Sequence, residues 1–322
     1  MITPARPLVT IGLPTYNRAS GYLKTTLHSA LSQTYPNLEI VVSDNCSPDG
    51  TEALVRGAGD PRVRYFKQTK NVGENNNANF CLEQAQGAYF LLLHDDDVID
   101  EDFVEACLDA VNGDTTVGLI RTGTRMIDGD GVVVATSPNG VGGLSTTEFM
   151  LGWFSGKTAL YLCSTLFNTT GLKAIGGFRS KTLMFQDVVA AMKLAADYGR
   201  VDVADVKASF RRHDHNLGSA ARLDDWVEDS LFLLDLMCEL VPVDARERVR
   251  REGMLYFCRK NYRYVAAIAP LAKRLNAYRL VHRRFGYAYS PIRYVATRHL
   301  RGVKRRLRDA LGAVYENRLS GS

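Results

Sequence analysis

Three consecutive carboxylates, Asp95, Asp96 and Asp97, follow the apolar run AYFLLL and one histidine, His94. Adjacent carboxylates repel, so such a cluster is costly unless water, helix N-termini or a cation offsets the charge. Oxygen ligands of this kind suit Mg²⁺ or Mn²⁺, which also bind diphosphates. A plainer use is open too: Asp96, Asp97 and Asp100 could solvate a loop and cap a helix starting near Glu101. Two other polar groups also follow apolar runs. Thr15–Arg18 (TYNR) follows VTIGLP, and Asp44 ends LEIVVSD.

The elements that must position these groups alternate between two periods. Leu8–Leu13, Leu38–Ser43, Val63–Phe66, Ala88–Leu93 and Val117–Arg121 read as short buried strands. Helical spacing lies between them, at 20–33, 51–56, 75–86 and 101–112, with Asp49 a candidate N-cap for the second helix. Alternation of this kind predicts an α/β fold with a mostly parallel sheet covered by helices. Ligands in such sheets bind outside the carboxyl ends of the strands. Thr15–Arg18, Asp44–Ser47, Asn71–Gly73 and His94–Asp97 all fall there. A nucleotide with its base near Asp44 and its diphosphate near the aspartates would explain the convergence.

Beyond residue 120 the pattern loosens. Asp128-Gly-Asp-Gly131 reads as a hairpin turn. Ser137–Leu144 is a Gly-rich loop, 187–198 a helix, and 201–204 and 206–211 strand pieces. The rest, from Asp224, is mainly helical.

Taken together, VTIGLPTYNR, EIVVSDNCSPDGT, YFLLLHDDDVI and the later IGGF…FQDV resemble the family-2 glycosyltransferases in order and spacing, over about residues 8–213. The resemblance implies an A-type glycosyltransferase fold with a Rossmann-like sheet, a nucleotide-sugar donor, a divalent cation and inversion at the anomeric carbon. By that resemblance Pro14, Thr15, Tyr16, Asn17 and Arg18 line the nucleoside pocket, and Asp44 accepts a hydrogen bond from the base. Asp96 faces the ribose or donor sugar, Asp97 binds the metal, and Asp95 completes the triplet. Asn71 and Asn79 join the donor site. Asp187 matches the base that deprotonates the acceptor hydroxyl, with N-capping of the next helix as the lesser, structural alternative. In RRHDHN, residues 211–216, His213 would reach the metal and Arg212 the diphosphate, with His215 and Arg211 as substitutes. Two positions depart from the family: Ala78 stands where many members have Arg, and Gln186 where many have a second acidic residue.

Composition bounds the rest. The 322 residues are 46% hydrophobic and 23% charged, which excludes disorder and a disulfide-stapled miniprotein. The net charge of +5 divides unevenly, −10 over residues 1–242 and +15 from Val243 onward. The last stretch carries an amphipathic helix candidate around Leu300–Val314 with six Lys/Arg on its other face. Basic amphipathic helices of this type lie on anionic bilayers. The expected layout is a catalytic domain over 1–222 and a basic, aromatic-rich helical region over 223–322 that contacts acceptor or membrane surface. The expected partners are a nucleoside-diphosphate sugar, with UDP the expected nucleotide, and a glycan or lipid-linked acceptor. No nucleic-acid motif is present. No run is long enough to span a bilayer, and six cysteines without metal-like spacing read as reduced thiols. The expected location is cytoplasmic, peripheral on the inner membrane face. The competing class is a nucleotide- or lipid-binding interaction protein with a degenerate site.

Overall fold

The computed structural model describes residues 6–213 and 222–300. Strands β1 (Val9–Thr15), β2 (Leu38–Asp44), β3 (Val63–Lys67) and β4 (Tyr89–Leu92) lie side by side in the order β3-β2-β1-β4, all parallel. Helices α1 (Leu23–Leu31), α2 (Thr51–Gly57) and α3 (Glu74–Gln84) make the crossovers. Thr15 pairs with Asp44 in register, so the carboxyl ends of β1 and β2 are level.

Alternate residues of these strands feed two separate cores, as the pleat requires. Ile11, Leu13, Ile40, Val42, Tyr89 and Leu91 pack on one face. Val41, Phe90 and Leu92 pack on the other. Gly12 sits on that second face because a Cβ there would come within 2.5 Å of the Phe90 ring and 2.8 Å of Cys81.

Beyond β4 the sheet becomes mixed. Strand β8 (Thr165–Asn168) runs antiparallel to β4 and to β6 (Leu119–Ile127). Strand β9 (Arg200–Arg211) runs parallel to β6, and its far end pairs antiparallel with β5 (Val98–Ile99). The mostly parallel sheet expected from the sequence therefore describes the β1–β4 half, and the whole is a curled mixed sheet. The two strand pieces expected at 201–211 are one strand with register shifts opposite Gly123. This length lets β9 carry Arg211 to the carboxylate triplet.

The Asp128 hairpin joins β6 to β7 (Val133–Ser137). Asp128 accepts the amides of Asp130 and Val132 at 3.0 and 2.9 Å. The root of the Gly-rich loop is anchored, since the Asn139 side-chain amide is buried and donates to Asp202 at 2.8 Å. Asp202 also pairs with Arg121 and Arg200 at 3.0 and 2.8 Å.

Helices α4 (Phe103–Asp109), α5 (Thr146–Ser155), α6 (Thr169–Ala174) and α7 (Gln186–Tyr198) cover the sheet, and α8 (Leu223–Glu239), α9 (Val243–Val265) and α10 (Leu271–Arg284) follow. Trp226, Leu233 and Met237 of α8 and Phe257 and Tyr262 of α9 share one buried cluster with Trp153, Phe185, Val188 and Met192. The packing thus runs across the boundary expected at residue 222. The amphipathic helix expected around Leu300–Val314 lies almost wholly outside the described residues, as does His215. Among the described residues no helix is long and apolar enough to cross a membrane, and the six cysteines are free thiols.

Candidate active site

The loop after β4 is the centre of the site. Asp95 accepts from the Thr15 hydroxyl at 2.8 Å and from the Tyr16 amide at 3.4 Å, and Arg18 lies 3.7 Å away. It thereby ties the triplet to the end of β1. Burial raises the Asp95 carboxyl above its ordinary range, an effect only partly offset by the Thr15 hydroxyl. Asp97 is 2% exposed and accepts the Arg211 amide at 2.9 Å. Burial, with Asp96 close by, pushes its carboxyl up to about 7. Asp96 meets the His213 ring at 2.8 Å, and Arg211 donates through Nε to the Asp96 carbonyl at 2.8 Å. The two-residue strand β5 follows the triplet at once, and its pairing with β9 brings Arg211–His213 here.

His94, Asp96 and Asp97 each offer a ligand atom, and these atoms lie within 4.8 Å of one another. Burial works against charge on His94, but Glu74 and the three aspartates outweigh it and raise the imidazole pKa. A carboxylate pair that repels itself and an imidazole drawn toward it suit a divalent cation with oxygen and nitrogen ligands. The residues therefore fit Mn²⁺ or Mg²⁺. Sequence reasoning named Asp97 and His213 for this duty. The structure adds His94, whose adjacency to the triplet was the available signal, and sets His213 against Asp96.

The other part of the site, where the sequence expects the nucleoside, is built from β1 and β2. Asp44 is fully buried and accepts the Ser47 amide at 2.8 Å and the Tyr65 hydroxyl at 2.5 Å. Asn17, in the left-handed region at φ 57°, donates its amide to the Ser47 hydroxyl at 2.8 Å. Pro14 and Thr15 are buried at the end of β1, Arg18 is partly exposed, and the Tyr16 ring is exposed. Asn71 accepts from the Asn45 side-chain amide at 3.0 Å and from the Gly73 amide at 2.9 Å, tying the β3–α3 loop to β2.

Asn79 does something different from what the family pattern implied. Its amide oxygen accepts the Phe178 amide at 2.9 Å, and its nitrogen donates to the Phe178 carbonyl at 3.1 Å. It clamps the IGGF turn, where Gly177 has φ 78° and a Cβ would sit 2.3 Å from Asn79 Oδ1. The Asn79 side chain is spent on the turn.

Asp187 lies in the first turn of α7. The N-cap position is Phe185, without a side-chain cap, so Asp187 is not the helix cap. Its carboxyl is raised by burial, an effect eased by the Val188 amide and by the charge of Lys260. The approach to this turn is held by α8. Asp229, fully buried, accepts the Ser180 hydroxyl at 2.6 Å and the amides of Thr182, Met184 and Phe185 at 3.0, 2.8 and 2.8 Å. Helix α9 adds Lys260, whose ammonium lies 5.2 Å from the Phe185 ring centre and 5.9 Å from those of Trp153 and Tyr256. Neither Asp229 nor Lys260 stood out in the sequence, because each acts only through a contact between distant elements. Trp153 is 8% exposed and belongs to this aromatic cluster. Arg212 is exposed beside the triplet.

A curled mixed sheet with clustered carboxylates at the carboxyl ends of its parallel strands is the A-type glycosyltransferase fold. Residues 10–164, just under half of the chain, match the family described as "Glycosyl transferase family 2". Chondroitin synthase of Escherichia coli is 36% identical over 135 residues, 41% of this chain and 19% of that protein. The putative teichuronic acid biosynthesis glycosyltransferase TuaG of Bacillus subtilis is 36% identical over 110 residues, 34% of this chain and 43% of that one. The chain thus spans less than half the length of these curated relatives. Among solved structures, S. aureus TarS 1-349 aligns over 90% of this chain and 82% of its own, at 17% identity and a TM-score of 0.62. The mannosyltransferase PcManGT of Pyrobaculum calidifontis, solved with GDP-Man and Mn²⁺, aligns over 91% and 84%, at 20% identity and a TM-score of 0.54. These likenesses are of fold.

Proposed function

We propose that this protein is an inverting, divalent-metal-dependent glycosyltransferase. It moves a sugar from a nucleoside diphosphate, UDP by preference, to a hydroxyl of a glycan or lipid-linked acceptor in cell-surface polysaccharide or glycolipid synthesis. The observation that carries this reading is the convergence of Asp44, Asp95–Asp97 and Thr15 at one sheet edge, with Asp187 raised by burial in the first turn of α7. The relatives' names point to polysaccharide synthesis. TarS has been solved with UDP-GlcNAc, which supports UDP.

In this reading Asp44 and the Pro14–Arg18 segment receive the nucleoside. His94, Asp96 and Asp97 hold the cation, with His213 supporting Asp96. When bound, the cation supplies Lewis-acid stabilisation to the departing diphosphate. Arg212 adds positive charge on the same side. Asp187 takes the proton of the acceptor hydroxyl as its oxygen attacks the anomeric carbon, on the face opposite the leaving group. A carboxyl raised by burial is a stronger base than a solvated one, which suits this step.

The C-terminal region is assigned to a membrane surface. Leu271, Leu275, Ile292 and Val295 are 63, 50, 83 and 49% exposed among arginines. Binding to vesicles containing anionic lipid, lost in high salt, tests that part. For the donor, thermal-shift titration with UDP-, dTDP- and GDP-sugars, with Mn²⁺ or Mg²⁺, is decisive. A bound donor must raise the melting temperature by mass action. If no nucleotide shifts melting in the presence of metal, the proposal fails and the binding-protein class with a degenerate site gains.

A further inference from the structure

Helix α9 carries seven basic residues, and three of them close ion pairs. Arg248 meets Glu148 at 2.6 Å, Arg250 meets Asp235 at 2.9 Å and Arg251 meets Glu252 at 3.4 Å. The other four, Arg246, Arg259, Lys260 and Arg263, have no carboxylate within ion-pair distance among the described residues, and Arg259 lies 5.5 Å from the Tyr289 ring centre. Lys260 lies 5.2 Å from the centre of the Phe185 ring, two residues before Asp187, and Arg263 follows it three positions later on the same helix. Lys260 shares its field with Asp187 and Arg263. Tyr161 feels Arg212, Asp97 and Arg263 together.

Lys260 is an expensive choice for its place. It sits among the rings of Trp153, Phe185 and Tyr256, where an aliphatic side chain would pack without desolvating a charge. The ring faces return part of that cost. Asp187 acts on it electrostatically but closes no ion pair with it, so the ammonium keeps its hydrogen bonds for something else. Arg212, at the end of β9 beside the triplet, already serves the donor side. Among the described residues, Lys260 and Arg263 are unpaired cations of α9 whose charges act on Asp187 and on Tyr161 respectively.

We propose that Lys260 and Arg263 form an anion site for the acceptor, so that the chain glycosylates an acidic glycan carrying a carboxylate or phosphate close to the accepting hydroxyl. This rests on the glycosyltransferase reading and narrows its acceptor class. The anion replaces the missing carboxylate partner of both cations, and its binding places the neighbouring hydroxyl against Asp187. Such recognition adds hydrogen bonds to charged groups, the stronger kind. A neutral glycan would leave the Lys260 ammonium desolvated and unpaired, so neutral acceptors are selected against.

The test is calorimetric titration of the full chain with glucuronate, glucose 6-phosphate and glucose. One or both acidic sugars should bind about tenfold or more tighter than glucose, the ordinary weight of one charge-assisted contact. Which of the two wins tells carboxylate from phosphate. The K260Q/R263Q variant should lose that preference. Acidic sugars binding no tighter than glucose, or a preference retained in the double variant, overturns the proposal. Should the variant not fold, wild-type titrations at low and high NaCl decide: a preference that does not shrink with salt also overturns it. A parallel titration with UDP and Mn²⁺ reports on the donor reading alone. If UDP binds and the sugars show no preference, the anion site is wrong while the donor reading stands. If the preference appears without UDP binding, the anion site stands and the donor reading falls.

Discussion

The buried carboxylate of Asp229, in α8, accepts the backbone amide of Phe185 at 2.8 Å, two residues before Asp187. Three further donors from the same loop converge on it. The proposed base is therefore aimed by a residue some forty positions later in the chain. Replacing Asp229 with Ala would orphan three backbone amides, each at about 1–3 kcal/mol if left unsatisfied. Partial rehydration reduces the sum. A loss of at least about 3 kcal/mol is expected, or a fall in melting temperature of roughly 5 °C or more. Differential scanning calorimetry checks it, and an unchanged melting temperature would remove the clamp from the account.

Asp187→Asn preserves shape and removes the basicity. Transfer to acceptor should drop by about 10²-fold or more, the usual weight of a positioned general base. The thermal shift with UDP and metal should persist, since Asp187 contacts neither. Full transfer activity in this variant would exclude Asp187 as the base, and there is no second carboxylate at Gln186 to take over.

His94→Ala and Asp97→Asn address the cation. Each should raise the Mn²⁺ concentration needed for half-maximal stabilisation by about tenfold or more, in line with even outer-sphere changes at metal sites. A chelator should abolish the nucleotide-induced shift in the wild type. Ordinary metal response in the His94 variant would return that residue to a packing role.

Lys260 gives a pH signature. Burial, reinforced by Arg263 and opposed by Asp187, lowers its ammonium to about 8, well below the lysine value. For a base with a lowered folded pKa, the cost of holding the charge is fully present below pH 8. It fades as pH rises from there toward the unfolded value near 10.4, about where free lysine titrates. Lys260→Met should therefore melt higher than wild type at pH 7, and the gap should narrow above pH 8. Tyr256 and Arg263, which also face this group, stay unchanged in both proteins. A gap that is flat or widens with pH contradicts the assignment. Acidic-sugar affinity should weaken over the same rise in pH.

Much of the donor half was legible in the chain. Five short apolar runs, each followed by polar residues, determine a sheet edge, and β1 to β4 with Asp44 and the triplet sit where that logic put them. Local signals sufficed because each crossover is a strand followed by its own helix. The acceptor half was harder to see. Strand β8 inserts between β4 and β6, a pairing between residues some seventy-five positions apart that leaves no periodic trace. Asn79 matched a family position but is consumed by the Phe178 backbone, a contact set by a glycine turn a hundred residues away. Asp229 and Lys260 looked like ordinary surface charges on amphipathic helices. Only the fold shows that one faces a loop and the other an aromatic cluster.

The Asp229 clamp has a consequence for anyone recombining this protein with its kin. The family match ends at residue 164, so a chimera cut there looks natural on an alignment. A cut at 164 keeps the 180–185 loop and α8 from one parent, whereas a cut between residues 187 and 223 would separate them. Segments 180–187 and 223–239 are a single inheritable part, and acceptor preference should travel with that pair.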